Sequence, residues 1–351
     1  MKYSFIVPVF NRPDEVSELL ESLCSQTVKD FEVIIVEDGS RKTCKGVCDK
    51  FASILDLHYY YKDNSGPGQS RNYGAERSRG EWLIILDSDV VLPADYLSSV
   101  ECRVQDSTLK ELVAWGGPDA AHESFTPVQK AISYSMTSFF TTGGIRGGKK
   151  KLDKFFPRSF NMGIRRDVYL QLGGFSKMRF GEDIDFSYRI VEAGHQPQLI
   201  PEAWVWHKRR TDFRKFFRQV YNSGIARINL EKRHPGTLKL VHLLPTVFTL
   251  GVFALILTGA FGRIMMVYGE PADFRLWYWV VIAALAPIFL YSLLIFADSA
   301  RKNRSVHVGL LSIPAAFTQL VGYGLGFLES WWKRCVLKQD EFQAFEKTFY
   351  K

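Results

Sequence analysis

The chain has 351 residues, 46% of them hydrophobic, and a formal net charge of +8, enough length and apolar content for a large core and two or three structural units. Cys24, Cys44, Cys48, Cys102 and Cys335 are scattered without a C-x-x-C set, which argues against structural zinc and leaves reduced thiols as the default. The basic balance suits anionic lipid or phosphorylated substrates, and no nucleic-acid-binding motif accompanies it, so nucleic acid is not an expected partner.

These averages conceal a polarised chain. The first two thirds mix charged and apolar residues as a soluble α/β protein does, whereas from about Leu238 long apolar runs take over, the pattern of a membrane protein with a soluble head. The N-terminus does not read as a signal peptide, because the apolar stretch Phe5 to Phe10 is short, contains Pro8 and leads into Asn11, Arg12 and Asp14. The head is therefore expected in the cytosol.

Tyr3 to Val9 reads as a strand, and after Asn11 a helix follows in which Pro13 suits the first turn and Val16, Leu19, Leu20 and Leu23 recur at helical spacing. Phe31 to Val36 is a second strand ending on Glu37-Asp38-Gly39-Ser40, and Leu57 to Tyr61 a third. Repeated strand-to-helix passages predict a mostly parallel sheet with right-handed crossovers. The loop Asn64 to Asn72 contains Gly66 and Gly68; a helix beginning near Gln69 would turn its N-H groups toward an anion, Arg71 would add a fixed charge, and Gly80 would end it.

Trp82 to Val91 (W-L-I-I-L-D-S-D-V-V) organises the rest. Five apolar residues suit a strand buried on both faces, and Asp87 and Asp89 then lie at its carboxyl end, where ligands bind in open α/β sheets. Two acids one residue apart can surround a divalent cation that holds a diphosphate. A solvated turn explains the same pair, as an unliganded Asp-Gly turn explains Asp38. Farther on, Leu112 to Trp115 suits a strand, Val128 to Phe140 an amphipathic helix, and Thr141 to Lys154 either a mobile segment that orders over phosphates or lies against lipid headgroups, or a disordered solvated loop. In Gly181-Glu182-Asp183-Ile184-Asp185, Asp185 and Arg189 can pair on a helix, and the acids suit its first turn. One of them facing a pocket would instead serve as a general base.

Together, V-P-V-F-N at Val7 to Asn11, E-D-G-S at Glu37 to Ser40, S-R-N at Ser70 to Asn72, D-S-D at Asp87 to Asp89 and G-E-D-I-D at Gly181 to Asp185 resemble the family-2 glycosyltransferases, inverting enzymes of the GT-A fold, over about the first 210 residues. The resemblance implies an α/β, Rossmann-like nucleotide-diphospho-sugar transferase domain. It places Pro8, Val9, Asn11, Asp38, Arg71 and Asp87 at the donor nucleotide, with Asp38 on the base. It further implies Mg2+ or Mn2+ on Asp89 and Asp87, Asp89 being the more direct ligand, and Asp183 as the base for the acceptor hydroxyl, supported by Glu182 and Asp185. Relatives often place a histidine near the metal where His207 stands, and Arg209 and Arg210 beside it suit either the diphosphate or lipid headgroups. No Q-x-x-R-W follows G-E-D-I-D; Arg218 to Asn222 occupies the comparable region, which disfavours polymer synthesis.

The expected organisation is a catalytic domain over residues 1–210, an amphipathic interfacial segment over 211–237, a transmembrane region of two to three helices over 238–330, and a basic tail over 331–351. Asp212 to Tyr221 reads as an interfacial helix, or equally as a bundle element. Leu240 to Phe261 and Leu276 to Ala297 are long enough to span, and Arg301, Lys302 and Arg304 after the second place that connection in the cytosol. The third run, Val308 to Leu328, is interrupted by Pro314, Gln319 and glycines. If it spans, the basic tail lies outside against the charge rule; a re-entrant or interfacial segment keeps it inside. The implied function is transfer of one sugar to a lipid-linked acceptor, a polyprenyl phosphate or lipid-linked glycan, on the cytosolic face. The rival readings are an idle nucleotide-sugar-binding scaffold and a sugar-phosphate nucleotidyltransferase.

Overall fold

The computed structural model describes residues 1–106, 112–120, 125–142, 155–178, 180–208, 211–342 and 344. The chain divides into two compact units, Met1–Glu123 with Lys149–Lys208, and Ser124–Gly148 with Arg209–Lys351. The stretch expected to form one head over residues 1–210 is thus interrupted, and the expected glycine-rich basic segment lies, from residue 143 to 154, outside the described residues.

In the first unit the strands are β1 (Tyr3–Val9), β2 (Phe31–Asp38), β3 (Leu57–Lys62), β4 (Trp82–Leu86), β5 (Val90–Val91), β6 (Ala114–Gly116), β7 (Asp119–Ala120), β8 (Asn161–Arg165), β9 (Gln198–Leu199) and β10 (Val205–His207). Seven form a sheet of order β3-β2-β1-β4-β8-β6-β9, and β5-β10-β7 form a smaller one. Every residue of β1, β2 and β4 is buried, as expected of strands covered on both faces. Alternation divides the core: Phe5, Val7, Ile84 and Leu86 pack with Leu19, Leu20 and Leu23 on one face, whereas Ile6, Leu83 and Ile85 pack with Ala75 and Phe186 on the other.

The parallel sheet expected from the strand-helix rhythm holds for β3, β2, β1 and β4, but β8 runs antiparallel to both β4 and β6. No crossover periodicity marks the sequence before β8. Other boundaries shift slightly: the helix expected near Gln69 is Pro67–Arg77, ending before Gly80. The small sheet pairs His207 with Val90, setting a histidine beside the D-S-D turn. Buried Asn161 braces the region, accepting from Tyr96 Oη at 2.6 Å and donating to the Ala203 carbonyl at 2.7 Å.

The second unit is helical: Pro127–Thr137, Phe139–Thr142, Phe213–Arg233, Leu244–Tyr268, Phe274–Asn303 and Val306–Trp331. Among the described residues three helices are long and apolar enough to cross a membrane. The segment expected to be interfacial or a bundle element, 211–237, contains a 21-residue helix whose Phe216, Val220, Ile225 and Ile228 are buried. The third apolar run is a continuous helix despite Pro314.

Gly163 on β8 lies flat against Trp115 of β6: a Cβ there would stand 1.9 Å from the indole Cε2, while Gly46 has open space around it. Gly163→Ala is expected to cost about 1–3 kcal/mol through overpacking, and Gly46→Ala should cost nothing. Thermal unfolding of the detergent-purified chain reads both, and an unchanged Gly163→Ala midpoint would contradict this packing.

Candidate active site

Strand ends and one helix start assemble the site. β1 ends on buried Pro8 and Val9 and turns at Asn11, which adopts φ 56°, an angle that asparagine tolerates better than most residues. Its side-chain oxygen accepts the N–H groups of Arg41 and Lys42 at 2.9 and 3.0 Å, fastening the β1 edge to the turn after β2. In that turn buried Glu37 accepts from Ser40 and from the Cys44 amide. Asp38 is 4% exposed and accepts from Lys62 Nζ at 2.6 Å and from the Ser65 and Gly66 amides at 2.9 Å each. It ties the end of β2 to the glycine loop before the Pro67 helix.

Arg71, on that helix, is the centre of the charge arrangement. It is 3% exposed, and it donates to Asp87 at 2.7 Å and to Glu182 at 3.0 Å. Burial works against its charge, the two carboxylates outweigh it, and its pKa is raised. One guanidinium thus joins the end of β4 to the start of the Glu182–Glu192 helix, which the chain enters through Gly181 at φ 86°.

Glu182 and Asp183 are adjacent buried carboxylates with opposite fates. Burial, and the neighbouring Asp183 charge, raise Glu182 to about 7. Asp183 also suffers from burial, but Arg158 at 2.6 Å overrides it and holds this carboxyl below its ordinary range. Asp183 is therefore the ionised member of the pair at neutral pH, and Glu182 carries the higher proton affinity. Asp185 points elsewhere in role: it pairs with Arg189 at 3.1 Å, as the four-residue spacing predicts, and Arg189 also donates to the Leu172 and Gly174 carbonyls.

Around the D-S-D turn, His207 Nε2 lies 3.3 Å from Asp89 and 4.0 Å from Asp87, and its ring stacks on Phe160 at 4.9 Å. Arg12 pairs with the other oxygen of Asp89. Ligating atoms of Asp87, Asp89 and His207 all fall within 4.8 Å of one another. Two carboxylates and an imidazole suit a divalent cation such as Mn2+ or Mg2+, so these residues fit the expected ion. A second acidic group, Glu32, Asp56 and His58, already has Arg79 on both carboxylates.

Residues 4–173 match the profile of Glycosyl transferase family 2. That segment is a domain of this family. A Haemophilus influenzae protein described as an uncharacterized glycosyltransferase is 30% identical over 202 residues, 56% of this chain and 64% of that relative. A pre-mycofactocin glycosyltransferase of Mycobacterium tuberculosis is 27% identical over 247 residues, 66% of this chain and 47% of that relative. The chain thus spans less than two thirds of either relative's length. Among solved structures, a mannosyltransferase from Pyrobaculum calidifontis in complex with GDP-Man and Mn2+ is similar at TM-score 0.63 and 15% identity, over 95% of this chain and 88% of that one; at that identity the likeness speaks for the fold. The family 2 domain has the expected GT-A architecture.

Asp87, Asp89 and His207, expected at a metal, lie near one another, whereas the sequence gives no expectation for Arg12, Lys62 or Arg158. Arg12 directly follows the V-P-V-F-N motif, and that adjacency was the available signal. Arg158 sits in a stretch without periodicity, and nothing local announces its pairing with Asp183. Arg209 and Arg210, expected at phosphates, lie outside the described residues.

Two outcomes are expected. Mn2+ affinity of the purified chain, followed by the electron paramagnetic resonance of unbound ion, should fall at least about tenfold in Asp89→Ala and in His207→Ala; unaltered affinity in both would place the ion elsewhere. A glutamate with a folded pKa near 7, against an ordinary 4.5, favours the folded state at low pH, and that contribution is lost as pH rises through 7. The melting temperature of Glu182→Gln relative to wild type should therefore become more favourable between pH 5 and pH 8, and a pH-independent difference would refute the raised value.

Proposed function

We propose that this chain is a membrane-embedded, inverting and metal-dependent glycosyltransferase that moves one sugar from a nucleoside-diphosphate sugar to a lipid-linked acceptor on the cytosolic face. The observation that carries it is the convergence on one sheet edge of Asp87, Asp89 and His207 with the ionised Asp183, coupled through Arg71 and Glu182. The similar P. calidifontis mannosyltransferase, in complex with GDP-Man and Mn2+, supports the donor class and the ion. A bound divalent ion would neutralise charge on the departing diphosphate. Asp38, Asn11, Pro8 and Val9 line the edge on which the nucleotide would lie.

In this reading the acceptor oxygen forms its bond to the anomeric carbon as the bond to the diphosphate breaks on the opposite face. Asp183 takes the proton of a hydroxyl acceptor, and Arg158 keeps it ionised and aimed. A lipid phosphate would need no base, because its oxygens are largely ionised near neutral pH; Arg158 would then offset its charge. The three long apolar helices support membrane insertion, and the absence of Q-x-x-R-W supports single transfers. Arg301, Lys302 and Arg304 support a cytosolic head.

The deciding experiment incubates membranes carrying wild type, Asp89→Ala or Asp183→Asn with labelled nucleotide sugars and either polyprenyl phosphate or a hydroxyl-bearing lipid-linked glycan. Label is expected in the organic phase from one donor, lost with chelator and in Asp89→Ala. Asp183→Asn should lose transfer to the hydroxyl acceptor by about a hundredfold or more and retain much of any transfer to phosphate. Undiminished hydroxyl transfer would remove Asp183 as base. Diphosphate released from a nucleoside triphosphate would indicate nucleotidyl transfer instead, and nucleotide-sugar binding with no label from any donor would favour the idle scaffold.

A further inference from the structure

The Val306–Trp331 helix is long and apolar, yet its surroundings differ from those of the other two candidate spans. In its most apolar window 44% is buried, against 11% in each of the others. The Phe213–Arg233 helix runs beside it in the same direction. Phe213 packs against the cluster of Ala131, Val308 and Ala315, and Phe217 and Val220 meet Gly322. A Cβ on Gly326 would stand 2.0 Å from the Tyr221 carbonyl, and one on Gly224 2.2 Å from the Tyr323 carbonyl. The register continues to the far end, where Ser330 donates to the Ile225 carbonyl and Arg334 to Asn229. The Pro127–Thr137 helix covers a further side, through Ala131 and Tyr134.

This companionship decides orientation. Helices in parallel contact share one depth profile where they touch, and Phe213–Arg233 carries Arg214, Lys215, Arg218, Arg227, Lys232 and Arg233, with Arg214 and Lys215 exposed. Were Val306–Trp331 to cross the hydrocarbon, it would draw that cationic helix through with it, at a prohibitive desolvation cost. The other two helices carry no such passenger; they pack on each other where Gly259 and Gly262 meet Ala284, Leu285, Val280 and Val281, and turn apolar side chains outward, as lipid-facing helices do.

We propose that Val306–Trp331 lies along the membrane surface and does not cross it, forming with Phe213–Arg233 one surface that docks on anionic lipid headgroups while Leu244–Tyr268 and Phe274–Asn303 alone cross. This rests on the membrane-embedded reading above. Exposed Val306, Leu310, Trp331 and Trp332 suit the headgroup boundary, and the cations beside them complement its charge. Arg301, Lys302 and Arg304 at one end and Lys333, Arg334 and Lys338 at the other then all stay on the side of the head, and the conflict between a third span and the positive-inside rule disappears.

Cys102 and Cys335 are exposed, and Cys44 and Cys48 are buried, so native thiols can report sidedness. One full-length variant, Cys24→Ser with Cys102→Ser, keeps Cys335; another, Cys24→Ser with Cys335→Ser, keeps Cys102. Sealed inside-out and right-side-out vesicles are treated with a membrane-impermeant maleimide, and detergent-opened vesicles define full labelling. The expected result is that both thiols label in the same vesicle orientation and that labelling of both is lost in the other. Cys335 labelling only in the orientation that protects Cys102 would establish a third crossing and overturn the proposal. Release of the chain by an alkaline carbonate wash would instead defeat the membrane-embedded reading itself.

Discussion

A guanidinium removed from water has to be met by negative charge, or its burial is prohibitive. Arg71 is the point at which that requirement shapes the head. Its two partners come from different parts of the chain, Asp87 from the end of β4 and Glu182 from the start of a helix about a hundred residues later. Meeting both draws the D-S-D turn and the G-E-D-I-D helix to one place. The same contact divides the neighbouring acids, because Glu182 shares Arg71 with Asp87 while Asp183 has Arg158 largely to itself. A tuned carboxylate thus follows from how two arginines are distributed among three acids.

The D-S-D turn shows the complementary arrangement. Asp89 is engaged on one oxygen by Arg12 and faces His207 with the other, while Asp87 offers one oxygen to Arg71 and keeps the other toward the imidazole. Each carboxylate is held by a fixed cation and still presents an oxygen to the same small volume. Such anchoring fixes in advance the groups that could ligate an ion. The stacked Phe160 limits the imidazole in the same way.

In the helical unit the governing constraint is backbone proximity. Gly224, Gly322 and Gly326 let Phe213–Arg233 and Val306–Trp331 approach until carbonyls of one stand where a side chain of the other would begin. Glycines that looked like interruptions of a membrane span are the contact surface of a helix pair, a use of small residues familiar wherever helices touch closely. Gly324 serves a different neighbour, meeting Thr249 and the Pro245 carbonyl.

The sequence by itself determined what depends on local pattern. Buried strands announced themselves as apolar runs, acids at their ends marked one edge of the sheet, the spacing of Asp185 and Arg189 foretold their ion pair, and long apolar runs marked the second unit. Only the tertiary structure decided what depends on approach between distant segments. The antiparallel insertion of β8, the arrival of His207 opposite Val90, the pairing of Arg158 with Asp183 and the burial of the third apolar helix leave no periodic trace, because each is set by which surfaces fill and which charges cancel once the chain has folded.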